Sequence, residues 1–263
     1  MKLLLVAISI LLLLPNFFHI QLGKKPQYDH KELFNPGLAY INSIPKLIEV
    51  SDSIAKKNNI PQGTLCYAVN VSKLIKERFY HGFSRYPLSQ NWIAAYGEYF
   101  CGYGLASIVK PDDILKYNYG GCSQQSIVLM EVMKRKKIDY RSVGFPHHFA
   151  TELKFNGNWY FFDPNMEPNL TDSDRLESKW NCCADSLKKY YDTTRFHDLD
   201  WAFGKSFEIA FGKTNAVAAP HATIFHTATM YLSKTLWLFP LVIVFYPRKK
   251  RISNQSKFFA PNY

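Results

Sequence analysis

Asn156-Gly157 stands between two aromatic-rich runs, residues 148–155 and 158–163. Asn-Gly in that setting is the strongest short hairpin signal, because a type I′ turn needs positive φ at both central residues. A two-residue turn also fixes register. Phe155 faces Asn158, and counting back places Ala150 opposite Asp163. His148 lies two residues along the same face from Ala150. It becomes the diagonal neighbour of Asp163, at about 7–8 Å between backbones. The predicted hairpin therefore brings an imidazole and a carboxylate to one face.

Upstream, Gly120 and Gly121 precede Cys122, and glycine takes backbone angles that other residues avoid. Residues 123–137 contain no Gly or Pro and are rich in helix formers. Val128, Leu129, Val132 and Met133 recur at helical spacing, which gives one apolar face. Lys134, Arg135, Lys136 and Lys137 crowd the far end, where the helix dipole favours cations. Cys122 thus opens a predicted helix at its positive end. That setting favours a thiolate, the nucleophilic form, and free backbone N–H groups there could stabilise an oxyanion. The alternative is a small buried side chain, as free cysteines often are. Residues 141–145 read as a strand closed by Pro146. A nucleophile needs a base, and the base an orienting group. Cys122, His148 and Asp163 supply the three types.

A cysteine at a helix start, then His148, Glu152, Gly157, Trp159 and Asp163-Pro164, resembles the transglutaminase-like superfamily. This is the papain-related fold shared by transglutaminases, peptide N-glycanases and many bacterial thiol enzymes. The segment 138–145 resembles the strand which that family places between helix and histidine. The resemblance spans roughly residues 109–165. It implies an α+β fold with a papain-like, transglutaminase-like core, in which the cysteine helix packs on an antiparallel sheet. It makes Cys122 the nucleophile, His148 the base and Asp163 its orienter. Two positions depart from the pattern. Ala150 stands where the family often has a large aromatic. Gly121 stands where transglutaminases proper often have Gln, which argues against protein crosslinking of the animal type.

His147 competes with His148 for the base, but the spacing to Gly157, Trp159 and Asp163 selects His148, and the pleat turns His147 to the other face. Glu152 shares a face with His148 and is an alternative carboxylate; a charge at the sheet edge is the preferred reading. Gln124 and Gln125, in the first helical turn, read as polar surface or as support for the site. The family draws its oxyanion donor from a segment before the cysteine. Gln90, Asn91 and Trp92 are the candidates there, with Gln90 and Trp92 put forward.

The chain ends are apolar. Residues 3–14 are apolar save for Ser9, and the longer reading to Leu22 suits an uncleaved anchor of about 20 residues. A cleaved signal peptide is the alternative. Residues 224–246 are largely apolar and close on Arg248-Lys249-Lys250-Arg251, which reads as a cytoplasmic stop. The expected organisation is an anchor or signal segment over 1–22, a transglutaminase-like domain over 28–222, a transmembrane helix over 224–247 and a basic tail over 248–263.

These ends account for the charge. The net charge is +11, from 32 basic and 21 acidic residues. Nine of the basic residues lie before Pro26 or after Ala222, and no acid does, so the middle carries 23 basic against 21 acidic residues, a net of +2. A nucleic-acid protein carries its basic patch on the folded domain, so nucleic acid is excluded as a partner.

Residues 31–57, 64–79, 89–99 and 176–191 read as helical, and 166–173 as a loop. His197-Asp198 and Trp201 could line a cleft, although ordinary surface and core is the preferred reading. No Cys/His group shows a zinc spacing, and no cofactor or metal is expected. Five cysteines, an odd number, leave at least one thiol free. Cys122 is the natural one, while Cys66, Cys101, Cys182 and Cys183 are open to pairing. Asn70 and Asn169 begin glycosylation sequons.

The expected protein is a membrane-anchored thiol enzyme of a bacterial inner membrane, its domain facing the periplasm or exterior. Acyl transfer or amide hydrolysis on a peptide or protein is the expected chemistry, with hydrolysis ahead of crosslinking. The rival is a catalytically silent binding module of an envelope or exopolysaccharide assembly.

Overall fold

The computed structural model describes residues 1–181, 185–192, 198–204 and 208–246. Cys182, Cys183, His197 and the basic block from Arg248 to Arg251 lie outside the described residues.

Helix α1 (Lys2–Leu13) runs into a 3-10 turn at Leu14–Phe17. The helix expected over 31–57 is confined to α2 (Ile44–Lys57). Pro36 and Gly37 allow only a 3-10 turn, and Glu32 is drawn off to accept from the His81 backbone N–H at 2.5 Å. Helix α2 starts where it can be capped: Ser43 Oγ accepts from the Lys46 N–H at 3.4 Å, and Pro45 occupies the first turn. Helix α3 (Leu65–Arg78) is capped in the same way by Thr64 and leads into β1 (Tyr80–His81). Helix α4 (Leu88–Cys101) leaves helical geometry at Asn91, with φ −152° and ψ 74°. The short α5 (Pro111–Ile114) delivers the chain to β2 (Tyr119–Gly120), which pairs parallel with β1, and thence to α6 (Cys122–Arg135).

Strands β3 (Tyr140–Gly144), β4 (Phe149–Phe155) and β5 (Asn158–Phe162) follow. After α7 (Glu177–Trp180), α8 (Asp185–Lys188) and α9 (Leu199–Phe203), strand β6 (Ala210–Phe211) completes an antiparallel sheet in the order β5-β4-β3-β6. The described part of the helix expected over 176–191 is thus two short helices. The hairpin register is as expected: Phe155 pairs with Asn158, and Asn156 and Gly157 have φ of 50° and 83°.

The sheet is covered on both faces, and side-chain alternation sorts the two cores. Leu153 and Phe162 join Val128, Leu129, Val132 and Met133 of α6. Ala150 and Phe161 join Trp180, Leu187, Tyr191 and Phe203. Each fully buried side chain of the size of Phe161 or Phe162 contributes about 1.5–3 kcal/mol by leaving water. The protein is therefore α+β, with the cysteine helix laid on an antiparallel sheet. Glu152 is not an edge charge. It sits fully buried on the inner strand β4, paired with Arg141 at 2.6 Å.

The single span expected over 224–247 is two helices, α10 (Pro220–Thr235) and α11 (Leu238–Phe245), bent by 46°. Pro240 accounts for the break: it has no N–H to donate to Leu236, and its ring collides with that carbonyl. Among the described residues no single helix is long and apolar enough to cross a membrane, while the bent pair meets that test together by length and composition. The polarity of this layer is inverted. On α10, His226, Thr229 and Ser233 are buried, whereas Ile224, Tyr231 and Leu232 are exposed. Asn91 donates to Thr229 Oγ1 at 2.9 Å and accepts from Ser233 Oγ at 3.3 Å. The Ser233 carbonyl accepts from Asn16 at 3.0 Å and from the Trp92 indole at 2.9 Å. Helix α1, packed on α11, repeats the pattern with Ser9 buried and Leu3, Leu4, Ile10 and Leu11 exposed.

Candidate active site

Cys122 is the first residue of α6 and follows Gly121, which has φ −70° and ψ 168°. Neither Gly120 nor Gly121 has positive φ, so the expected reason for the glycines does not hold. Gly121 is needed for a close approach instead. A Cβ placed there would lie 2.5 Å from the Phe83 ring.

The helix start is tied down by its first-turn amides, which are buried and not surface groups. Gln124 Oε1 accepts from the backbone N–H of Gly121 at 3.1 Å and of Ser84 at 2.9 Å. Its Nε2 donates to the carbonyls of Ser84 and Ile108 at 2.9 and 2.7 Å. The loop carrying Ser84 is thereby fixed to the cysteine turn. The N–H groups of the first helical turn have no partner within the helix, and they face the same end as the thiol.

His148 and Asp163 lie just past the paired residues at the open end of the β4–β5 hairpin. His148 Nε2 is 2.7 Å from Asp163 Oδ2. Cys122 and His148 line the same cleft, and with Nε2 taken by Asp163 the ring nitrogen left for sulfur is Nδ1. The other oxygen of Asp163, Oδ1, accepts from the backbone N–H groups of Asn165 and Met166, each at 3.2 Å. Tyr191 completes the carboxylate, its hydroxyl donating to Oδ2 at 2.8 Å. His148, Asp163 and Tyr191 are all buried, and Phe145 and Phe203 flank the imidazole.

Burial alone would drive the His148 pKa down. The charge and hydrogen bond of Asp163, with a smaller contribution from Cys122, outweigh it and push the imidazole up to about 10. For Asp163, burial raises the pKa. His148, Tyr191 and the Met166 N–H reverse that and hold the carboxyl below its ordinary value. Both shifts describe one state, an imidazolium on a carboxylate. Tyr191 is pushed well above its ordinary value, by burial first and by Asp163 second, so it remains a donor.

A second buried pair backs Asp163. Glu167 Oε2 accepts from the Asp163 N–H at 3.4 Å and from Ser72 Oγ. Its Oε1 is 2.6 Å from Arg175 Nη2. Arg175 in turn donates to the Phe161 carbonyl at 2.9 Å. Glu152 belongs to a different cluster, with Arg141 and Glu177. Burial raises its pKa to about 7 against the pull of Arg141.

The thiol and imidazole open into a cleft of about 340 Å³. Asp198 and Trp201 do line it, and Trp201 stacks flat on His147 with centroids 4.1 Å apart and planes 3° apart. His147 is thereby a wall of the cleft, while His148 is the imidazole that meets Asp163. The floor holds Asn165, which sequence reasoning passed over. Gln125 Nε2 donates both to the Gly120 carbonyl at 2.8 Å and to Asn165 Oδ1 at 2.9 Å. Because the first acceptor can only be oxygen, the orientation of both amides follows. His81 Nδ1 meets the same Oδ1 at 3.1 Å. The Nδ2 of Asn165 has no partner among the described residues and is a donor available in the cleft.

Gln90 and Trp92 are not at this site. Gln90 lines a different cavity, and the Trp92 indole N–H is engaged by Ser233. The kink at Asn91 turns this segment to α10 and away from the thiol. Cys66, Cys101 and Cys122 are free thiols. Among the described residues no cluster of three or more His, Cys, Asp or Glu could hold a metal.

The arrangement can deliver a thiolate to a carbonyl, hold an imidazolium beside it, and offer backbone and amide N–H donors to developing negative charge. Comparison with protein-family models, with curated proteins and with solved structures finds no match.

Proposed function

We propose that this chain is a thiol acyl-transfer enzyme of transglutaminase-like, papain-related type that cleaves amide bonds in a peptide or protein. The observation that carries the reading is His148, hydrogen-bonded to Asp163 and sharing one cleft with Cys122.

In the proposed reaction Cys122 Sγ attacks the amide carbonyl carbon. The oxyanion that forms meets the free N–H groups at the start of α6, with Asn165 Nδ2 as a second source of donors. His148 gives its proton to the leaving nitrogen, the C–N bond breaks, and a thioester remains on Cys122. Water then gives a proton to His148 and adds to the thioester, and the sulfur departs as thiolate with the imidazolium restored. Asp163 orients the ring and balances its charge throughout. The cleft is open and partly polar, which favours water over a bulky amine as the acceptor.

The inverted polarity of the terminal layer supports a membrane address. Exposed apolar faces around a hydrogen-bonded polar seam suit lipid contact better than water. In this reading α1 and the bent α10–α11 pair hold the cleft outside a bacterial inner membrane.

Alkylation of Cys122 by iodoacetamide, read by peptide mass spectrometry on the full chain, tests the proposal. Labelling at pH 6 should be fast, and His148→Ala should slow it by about tenfold or more. Labelling at the rate of an ordinary thiol, unchanged by His148→Ala, would favour a binding module of this shape without turnover.

A further inference from the structure

One cavity has no part in the chemistry above. It measures about 490 Å³ and lies between α6 and α10, within the range of small-molecule sites. Its wall is apolar, with Ile127 and Met130 from α6, Met230 from α10, and Val109 and Val217 from the flanking loops. Its charged lining is unbalanced. Lys110, Lys134 and Lys234 stand against one carboxylate, Glu131. Glu131 is itself engaged by Arg135 at 2.9 Å and Lys134 at 3.8 Å. Lys234 donates to the Ser89 carbonyl, and neither it nor Lys110 has a carboxylate partner among the described residues. An apolar chamber with surplus ammonium groups fits a ligand with an apolar body and an anionic end. The outward face of α10, with Ile224, Tyr231 and Leu232 exposed, adjoins the chamber and is apolar too.

We propose that this cavity binds one acyl chain carrying an anionic head group, the chemistry of a fatty acid or of an acidic lipid. The assignment rests on the cavity alone and stands or falls apart from the thiol chemistry.

Binding of radiolabelled palmitate to the full chain in a maltoside detergent tests it. Saturable binding near one equivalent is expected, and Cys122→Ala should bind as wild type does. Thr227→Trp, at an exposed position lining the cavity, should fill part of it and weaken binding by about tenfold, the equivalent of about 1.4 kcal/mol. Val217→Trp does the same from the opposite wall if the first variant does not fold. Lys110→Glu should weaken palmitate several-fold and leave hexadecanol unchanged. Competition by free palmitate alone assigns the site to a fatty acid, and stronger competition by phosphatidylglycerol assigns it to a membrane lipid. Non-saturable uptake, indifference of folded Thr227→Trp and Val217→Trp, or equal binding of hexadecanol and palmitate would overturn the proposal.

Discussion

The Tyr191 hydroxyl donates to Oδ2 of Asp163, the same oxygen that holds His148. One carboxylate oxygen thus serves two side chains from opposite sides of the buried site, while the backbone occupies the other. Asp163 is held below its ordinary pKa even though burial opposes this. A carboxylate lowered in the folded state adds stability above its unfolded pKa of about 3.9, and that stability is lost as pH falls through the folded value. Tyr191→Phe removes one donor. The folded value should rise, so that acid unfolding begins at higher pH. Stability at neutral pH should fall by about 1.5–3 kcal/mol, as for a hydrogen bond to a charged group. Urea unfolding at pH 7 and at pH 4 measures both, and an unmoved acid midpoint would show that the hydroxyl does not govern the carboxylate.

His148 gives the opposite pH dependence. Its pKa is raised from 6.5 to about 10. A cation raised in the folded state stabilises fully below its unfolded value, and the contribution is lost as pH rises through the folded one. Wild-type stability should therefore decline from about pH 7 toward pH 10. In His148→Gln that slope should largely vanish. Urea midpoints measured along this range decide it, and parallel curves for the two proteins would contradict the assignment.

The side chains of Glu167 and Arg175 are buried and pair at 2.6 Å. Arg175→Met strands a carboxylate in the interior, which costs about 3–5 kcal/mol. Glu167→Gln combined with Arg175→Met should recover part of this, because no unpaired charge is then left. A double variant no more stable than the single one would assign the loss to packing.

Gly157 and Gly121 are required for different reasons, and substitution separates them. A Cβ at Gly157 meets nothing within 4 Å, so Gly157→Ala carries only the strain of φ 83°, about 1–2 kcal/mol. Gly121→Ala collides with Phe83 and should disturb the cysteine turn. Phe83→Ala in the same chain should restore alkylation of Cys122. Failure of that rescue would place the need for glycine in the backbone.

The hairpin and the His148–Asp163 pair were legible because a two-residue turn propagates a fixed register over a few residues. Asn156 and Gly157 carry that information locally. The helix after Cys122 was legible for a similar reason, the period of Val128, Leu129, Val132 and Met133. Tyr191 and Asn165 were not legible. Tyr191 reaches Asp163 from 28 residues away, and no local pattern marks that contact. Asn165 gains its place through Gln125, which read as polar surface or as support for the site. Trp201 read by preference as ordinary surface or core, and its place in the cleft against His147 follows only once the chain has folded back.

The terminal segments misled in a particular way. Hydropathy recorded the apolar residues of α10 and α11, and Pro240 as an interruption, but not that polar residues of α10 form a seam with Asn91. That seam also explains why Gln90 and Trp92 point away from the thiol. The segment before a cysteine is a sound place to seek an oxyanion donor, but here α10 claims it.

The β4–β5 hairpin also has a bearing on the order of assembly. His148 and Asp163 are 15 residues apart in the chain and meet across one tight turn, a local contact of the kind that forms early. Cys122 comes from a helix that must dock on the finished sheet. A partly folded chain would thus hold His148 and Asp163 together while Cys122 stood apart. The proposed reactive centre would arise only as the two cores close around the sheet, tying the onset of the proposed chemistry to completion of the fold.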